Sequence, residues 1–530
     1  MKVTQIPFQK TGFFSKTMLD YLDKNEKIAP FYNNFSDLEG FKNQIFEKQQ
    51  SFELKTRKVL VEALENQYQT FEISEKTKQN IELLNQENTF TVTTGHQLNL
   101  FTGPLYFLYK IISAINLAEK LSVEFPQQNF VPVYWMATED HDFDEINYFN
   151  FDGKKVQWNS ENSGAVGRFS TEGLSDVFEV FSEHLGNSKN ANYLTKLFSE
   201  GYLKHQNLAD ATRFISNQLF KQYGLLIIDG DDDKLKQLFI PIVKDELQNG
   251  TSFKTVSKTI KELEENYKIQ VNPREINLFY LGKDFRERII LEGEVYKVNN
   301  TKIAFSREEI LKEVDNNPTA FSPNVIMRPL YQEVILPNLC YIGGGGEQAY
   351  WLELQDYFNF VNIPFPILLL RNSVQIISEK QARKLEKLNI SKHEVFLNQY
   401  ELISRKIISN SELKFEFDHK IKFLKKQFID LKSVAKKTDI TFLNAVNAQE
   451  RKQIKGLEKL EKRLLKAEKR RQHDLVYRIK QLQNELLPNQ LLEERQRNFS
   501  EYYVEYGVSF IEALKSSLKP LDLKFTLLEL

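Results

Sequence analysis

Apolar runs of strand length alternate with longer amphipathic segments through the middle of the chain. FTVTTGHQ (90–97), FVPVYWMAT (130–138), LLIIDGDD (225–232), LCYIGGGG (339–346) and PFPILLLRN (364–372) each read as a buried strand. GPLYFLYKIISAINLAEKL (103–121) reads as a strong helix with Pro104 near its first turn, and EQAYWLELQDYF (347–358) as the helix that the glycine run opens. Strands alternating with helices predict a parallel α/β sheet covered on both faces. Residues 89–372 are assigned to this core. Stretches near 155–215 and 250–322 break the rhythm and read as insertions at the ends of the sheet. Residues 1–88 are polar with helical periodicity, with helices expected near 36–48, 50–69 and 74–86, packed on the core.

The texture changes near 373. Glycine nearly vanishes, and Ile421, Leu424, Phe428, Leu431 and Ala435 recur at alternating steps of three and four. Ile454, Leu457, Leu460, Leu464 and Ala467 do the same, followed by Leu475, Ile479, Leu482 and Leu486, with Arg471 interrupting. Two such helices joined by a turn near 436–450 predict an antiparallel coiled-coil hairpin within a helical domain spanning 373–488. Pro488 ends the last helix. The mixed, aromatic tail 489–530 is expected to return to the core.

Composition narrows the class. The chain has 530 residues, 71 Lys and Arg against 72 Asp and Glu, and a net charge of −1. That balance shows no global nucleic-acid footprint. A single cysteine, Cys340, excludes an intrachain disulfide and a multi-cysteine metal site, and suits a reducing, cytoplasmic location. MKVTQIPFQKTGFF lacks the apolar region of a signal peptide, and no run is long enough to span a membrane.

Ligands of open α/β sheets bind outside the carboxyl ends of the strands, and three polar stretches fall there. The first is Thr94-Gly95-His96-Gln97, followed by Gly103 and the helix carrying Lys110. Glycine freedom and helix N–H groups make Gly103 and Lys110 candidates for an anion. The second is Glu139 to Glu145, seven residues with five carboxylates and His141. They can accept protons, bind an ammonium group or hold Mg²⁺ through water; the plainer reading is a charged loop that caps a helix. No second histidine lies nearby in sequence, so no metal ligand set is assigned. The third is Gly343, Gly344, Gly345 and Gly346, expected to let a nucleotide or anion approach the backbone beside Glu347. Asn324, Arg328 and Glu333 precede that strand, and Arg328 suits bidentate recognition of a carboxylate or phosphate. There is no P-loop spacing and no G-x-G-x-x-G. His184, His205, His393, His419 and His473 stand alone and read as surface residues.

TGHQLNLFTGPLYFLYK, VPVYWMATEDHDFDEIN, SPNVIMRPLYQEVILPNLCYIGGGGEQAYW and LLPNQLLEERQRNF together resemble the bacillithiol biosynthesis cysteine-adding enzyme family, in order along nearly the whole chain. The resemblance implies a Rossmann-like core with connecting-peptide insertions, similar to class I aminoacyl-tRNA synthetases, and a coiled coil that supports a homodimer. It implies condensation of L-cysteine with glucosaminyl-malate. By likeness to the mycothiol cysteine ligase it also implies activation of the cysteine carboxylate by ATP, with Mg²⁺ and no tightly bound cofactor. The chain departs from the TGQQ of many members at His96, and it has neither the two-histidine signature of the synthetases nor a lysine-rich activation loop.

Three functions follow. In the leading one, a small-molecule ligase, Asp140 and Asp142 bind a cation (the cysteine ammonium, the glucosamine amine or Mg²⁺) and His141 takes a proton from the attacking amine. The substrate contacts are Thr94, Gly95, His96, Gln97, Asn324, Arg328, Glu333 and Glu347. A nucleic-acid-binding relative of the synthetases is raised by KGLEKLEKRLLKAEKRRQ (455–472), but its interleaved glutamates favour a solvated coiled-coil face. The third is a non-catalytic, nucleotide-binding dimeric scaffold.

Overall fold

The computed structural model describes residues 1–413, 415 and 417–530. Its core is a five-stranded parallel sheet of β1 (Thr89–His96), β2 (Asn129–Met136), β3 (Leu226–Asp229), β4 (Asn338–Gly343) and β5 (Ile367–Leu370). The spatial order is β5-β4-β1-β2-β3. Read from the other edge this is the 3-2-1-4-5 order of a Rossmann-like sheet, whose direction of winding reverses between β1 and β4. The crevice at that reversal opens at the carboxyl ends of the two strands.

Every residue of β1 is buried, as befits the central strand of a covered sheet. Its threonines are not free polar groups. Thr93 Oγ1 donates to Asn338 Oδ1 (2.8 Å) and Thr94 Oγ1 to the Ile342 carbonyl (2.7 Å), so two hydroxyls fasten β1 to β4. The helix Tyr106–Glu124 follows β1 and is buried along most of its length. The expected start near Gly103 is displaced because residues 100–102 form a tight turn with positive φ at Phe101 and Thr102.

The two insertions differ. The first contains the hairpin Tyr148–Phe151/Lys154–Gln157 and the helices Leu174–Leu185, Lys189–Tyr202 and Leu208–Phe220. The second carries a five-stranded antiparallel sheet in the order Ala304–Phe305, Val295–Val298, Arg286–Glu292, Leu278–Leu281, Phe321–Pro323. The N-terminal segment holds the expected helices as Leu38–Ser51, Leu54–Tyr68 and Glu75–Leu83, and also a strand, Lys2–Ile6. This strand pairs antiparallel with Phe525–Glu529, which pairs parallel with Val374–Ile377. A three-stranded sheet thus joins the two ends of the chain to the residues that follow β5.

The hairpin consists of Phe417–Ala435 and Ile440–Arg471, continued by His473–Leu486. Its turn occupies only 436–439, shorter than expected, because Asp439 caps the second helix through the Phe442 N–H (2.8 Å). The 19-residue arm spans about 28 Å and the 32-residue arm about 48 Å at ~1.5 Å per residue. The long arm therefore outruns its partner. The core between them is small: Phe428, Ala435 and Val446 are buried, with Leu424 and Leu443 against them. Leu431 and Leu460, expected in the seam, are exposed. Further along, the long arm lies against the helix Gln399–Ser409, where Lys469 Nζ donates to Ser404 Oγ (2.8 Å). Among the described residues, no helix is long and apolar enough to cross a membrane.

Glu333, a candidate substrate contact, is placed elsewhere. It lies near the end of the helix Arg328–Ile335, just before β4 begins, at the amino edge of the sheet. Lys48 Nζ donates to its Oε2 (3.0 Å) and Asn338 Nδ2 to its Oε1 (2.6 Å), with both ionic side chains almost wholly buried. Removing one partner of a buried pair strands the other charge. Lys48→Met is therefore expected to lower the unfolding free energy by about 3–5 kcal/mol in chemical denaturation while leaving ligand affinity at the opposite edge unchanged.

Candidate active site

At the reversal point the ends of β1 and β4 are joined by a buried ionic network. Lys110 Nζ donates to the Gly95 carbonyl and to Glu347 Oε1, both at 2.7 Å. Tyr341 Oη donates to the same carboxylate oxygen (3.1 Å), and the Gly344 N–H to Glu347 Oε2 (2.6 Å). Burial pushes the Glu347 carboxyl up, but the Lys110 charge and the bonds from Lys110 and Gly344 outweigh it and hold the group below its ordinary value. Lys110 is thus committed to Glu347 and is not the free anion-binding lysine expected from its place in the helix.

Gly103 also leaves the candidate anion site. At φ +62° it turns the chain against Asn99, and its carbonyl accepts from Asn498 Nδ2 (2.6 Å). The start of the following helix is covered too, because the Leu105 N–H donates to the Arg497 carbonyl (2.8 Å). In the glycine run none of the four residues has positive φ, so what the glycines supply is clearance and not an unusual backbone conformation. Gly343 ends β4, and a Cβ on Gly345 would press on Met18 at 3.1 Å. Gly344 and Gly346 face the cleft. Thr94 does not, since its hydroxyl is spent on β4.

His96 is buried against Tyr106 and Phe107, and its Nε2 has no protein partner among the described residues. Burial, then the charges of Lys110 and Arg371, holds its imidazole well below the ordinary value, so the ring is neutral. Gln97 Nε2 donates to Asp140 Oδ2 (3.1 Å) and Glu145 Oε2 (2.9 Å), tying the end of β1 to the acidic stretch after β2.

That stretch divides by direction. Glu139 turns inward onto Lys236, whose Nζ also donates to the Phe321 carbonyl (2.8 Å). Asp140 accepts from the His141 N–H (2.9 Å) and from Gln97. Burial would raise its carboxyl, but these bonds and the charge of Arg286 hold it well below the usual range. Asp142 is exposed, lines the cleft and has no side-chain partner among the described residues. Arg286 Nη1 lies 2.9 Å from His141 Nδ1. A guanidinium only donates, so Nδ1 carries the lone pair and Nε2 the proton. With this contact in place His141 presents an N–H to the cleft, and the expected proton-accepting role would require Arg286 to release Nδ1. Asp140, His141 and Asp142 bring ligand atoms within 4.8 Å of one another, but Arg286 already fills His141 Nδ1 and sets a positive charge beside both aspartates. The set does not fit a resident metal ion.

These elements enclose a cleft of about 740 Å³. Seven cationic side chains line it (Lys110, Arg274, Arg286, Arg288, Arg328, Arg371 and Arg495) against four carboxylates (Glu139, Asp140, Asp142 and Glu347). Arg328 Nη2 donates to Tyr350 Oη (2.8 Å), and Arg286 is seated by Ser322, the Pro323 carbonyl and the face of Phe279. Asn324 lines the cleft while shaping its own turn, accepting from the Ile326 N–H (2.9 Å). Five of the six arginines escaped sequence reasoning. Arg274, Arg286 and Arg288 sit in the irregular second insertion, Arg371 follows β5, and Arg495 arrives from the tail. Only Arg371 carried a usable signal, as a charge immediately beyond a buried strand.

Residues 1–372 match the family model described as "Bacillithiol biosynthesis BshC, N-terminal Rossmann-like domain", and residues 374–530 match "Bacillithiol biosynthesis BshC, C-terminal coiled-coil domain". The chain belongs to the bacillithiol biosynthesis BshC family. Relatives named "Putative cysteine ligase BshC" include one from Flavobacterium johnsoniae, 57% identical over 523 residues with 99% of each chain covered. Another, from Christiangramia forsetii, is 52% identical across 100% of this chain and 99% of its own. One from Cytophaga hutchinsonii is 39% identical across 98% and 97%. The Rossmann-like sheet and the helical second half described above are the BshC architecture that these models name.

Gly95 tests the geometry at the reversal point. A Cβ there would stand 3.0 Å from Tyr341 Oη and 3.7 Å from Arg328 Nη1. Gly95→Val is expected to push both groups out of position, costing about 1–3 kcal/mol through overpacking. Anionic ligands should lose affinity in calorimetric titration even at temperatures where the variant is fully folded.

Proposed function

We propose that the chain is a carbon–nitrogen ligase of bacillithiol biosynthesis that joins the carboxyl group of L-cysteine to the amine of glucosaminyl-malate. The observation that carries this reading is the excess of arginine over carboxylate in a cleft at the winding reversal of the sheet. Both substrates carry carboxylates, two on the malate and one on cysteine. An amide does not form readily from a free carboxylate in water, so ATP activation supplies the leaving group, and its phosphates add further negative charge. Mg²⁺ enters with those phosphates and not as a resident ion.

Within this reading Asp142 meets the incoming ammonium, since it is the cleft carboxylate left unpaired by the protein. Asp140 holds the His141 loop through its two hydrogen bonds, and the His141 Nε2–H donates to a substrate oxygen. Arg328, beside Gly95 and Tyr350, receives a carboxylate or phosphate. Asp142→Asn preserves shape and removes the charge. It is expected to fold normally and to lose about 30-fold or more in product formation, measured by mass spectrometry with cysteine, glucosaminyl-malate and ATP. Wild-type turnover by this variant would remove Asp142 from the chemistry.

The same reading includes a homodimer formed through the hairpin. Phe423, Ile429, Leu431, Val434, Ile440 and Phe442 are exposed on its two arms, more apolar surface than a solvated arm keeps uncovered. A second copy of the same hairpin is the occupant that such a face suits. Replacing Phe423 and Leu431 together by Glu should convert a dimer to a monomer in light scattering without changing the fold of the core. A variant that stays dimeric would place the interface elsewhere.

A further inference from the structure

The stretch LLEERQRNF (491–499) lies in the coiled-coil half of the chain, yet it is built onto the strand Val374–Ile377 of the small sheet, the residues just after β5 and the turn after β1. Glu493 accepts from Gln375 Nε2 (2.9 Å), the Ile376 N–H (3.2 Å) and Tyr502 Oη. Glu494 accepts from Arg371 Nη2 (2.7 Å) and Ser373 Oγ (3.3 Å) on one oxygen and from the Val374 N–H (3.1 Å) on the other. Asn498 Nδ2 reaches the carbonyls of Phe101 (2.8 Å) and Gly103 (2.6 Å). Glu493, Glu494 and Asn498 are buried. Between them Arg495 is exposed, and its side chain turns to the cleft.

Arg495 has no hydrogen-bonding or ion-pairing side-chain partner among the described residues. Its guanidinium carbon lies 5.9 Å from the ring centroid of Tyr106, and that of Arg371 lies 5.0 Å from the same ring. Arg371 is 3% exposed. Its Nη1 donates to the Asn372 carbonyl (3.0 Å) and Ser373 Oγ (3.1 Å), and its Nη2 is held by Glu494. Its Nε has no partner among the described residues, and a Cβ on the cleft residue Gly344 would stand 3.9 Å from it. A buried donor left without a protein acceptor at the wall of a cleft is poised for one from a ligand.

We infer that Arg371 and Arg495, which both approach the Tyr106 ring, form an anion clamp that the C-terminal half completes. Arg495 is a ligand-contacting residue, and Glu494 is the positioning residue that turns Arg371 Nε toward the cleft. The clamp takes a terminal oxyanion, either phosphoryl or carboxylate. The inference rests on the ligase reading only for which anion is bound, not for the existence of the clamp.

The test uses the full-length protein and calorimetric titration with ATP, inorganic pyrophosphate and L-malate. Arg495→Gln removes the exposed charge. Arg371→Lys keeps the charge and the pairing with Glu494 but has no Nε. Each is expected to weaken at least one probe about 10- to 100-fold with the melting temperature of Arg495→Gln unchanged. Losses confined to ATP and pyrophosphate assign a phosphoryl group, and losses confined to malate assign a carboxylate. Glu494→Gln should weaken the same probe as Arg371→Lys, with little further loss when the two are combined, a coupling that general destabilisation does not produce. Wild-type affinity for all three probes in both arginine variants overturns the clamp, as does failure of the unaltered protein to bind any of them. A protein that binds through Arg495 yet forms no product overturns the ligase reading and leaves the clamp standing.

Discussion

A charge taken out of water must be met by an opposite charge or by hydrogen bonds, and this requirement organises the carboxyl edge of the sheet. Four sets of contacts satisfy it: Lys110 with Glu347, Lys236 with Glu139, Arg286 with His141, Ser322 and the Pro323 carbonyl, and Arg371 with Glu494. Each links segments distant in sequence. The acidic stretch after β2 is therefore the counter-charge of an arginine-lined cleft before it is anything else. What remains for ligands is what these pairings leave over: the Asp142 carboxylate, the His141 Nε2–H, the Arg371 Nε–H and the arginines without partners.

The parallel sheet was legible because its strands are continuous apolar runs that no surface element would carry. FVPVYWM and ILLL are buried throughout, and the helix after β1 repeats on every face. The strand Lys2–Ile6 was not legible. It is five residues long with one of them buried, and its partner lies more than five hundred residues away. The second insertion hid its sheet for a similar reason: Arg286–Glu292 runs three charged residues, three apolar and one charged, with only Ile289 buried, so no alternation marks it as a strand. In the hairpin the heptad-like spacing revealed the helices but not their burial. Spacing along one helix says nothing about how far its partner extends, and here the partner ends first.

The site was legible by position and illegible by partnership. The strand-end rule located Gly95, Gln97, Asp140, His141, Arg328 and Glu347 at one cleft, where the structure brings them together. It misplaced Glu333 because the helix before β4 runs back across the sheet, so a residue five before the strand falls at the amino edge. It could not reveal that Lys110 is neutralised by Glu347, or that His141 Nδ1 accepts from Arg286, because both partners come from other segments.

The two family models divide the chain at residue 373, but the electrostatics do not. Arg371 is the last charge of the first half, buried beyond β5, and its carboxylate partner is Glu494 of the second. Alone, residues 1–372 would lose the carboxylate that seats Arg371 and leave its guanidinium to solvent, so that wall of the cleft would not be held in place. They would also lose Phe525–Glu529, which separates Lys2–Ile6 from Val374–Ile377 in the small sheet, and the Asn498 amide that holds the carbonyls of Phe101 and Gly103. The Rossmann-like half therefore reaches its native edge only when the tail has crossed back over it. The hairpin between them is a different matter. Its own core rests on three buried side chains among the described residues, and its exposed apolar residues take no part in the cleft, which separates the part of the second half that builds the site from the part that does not.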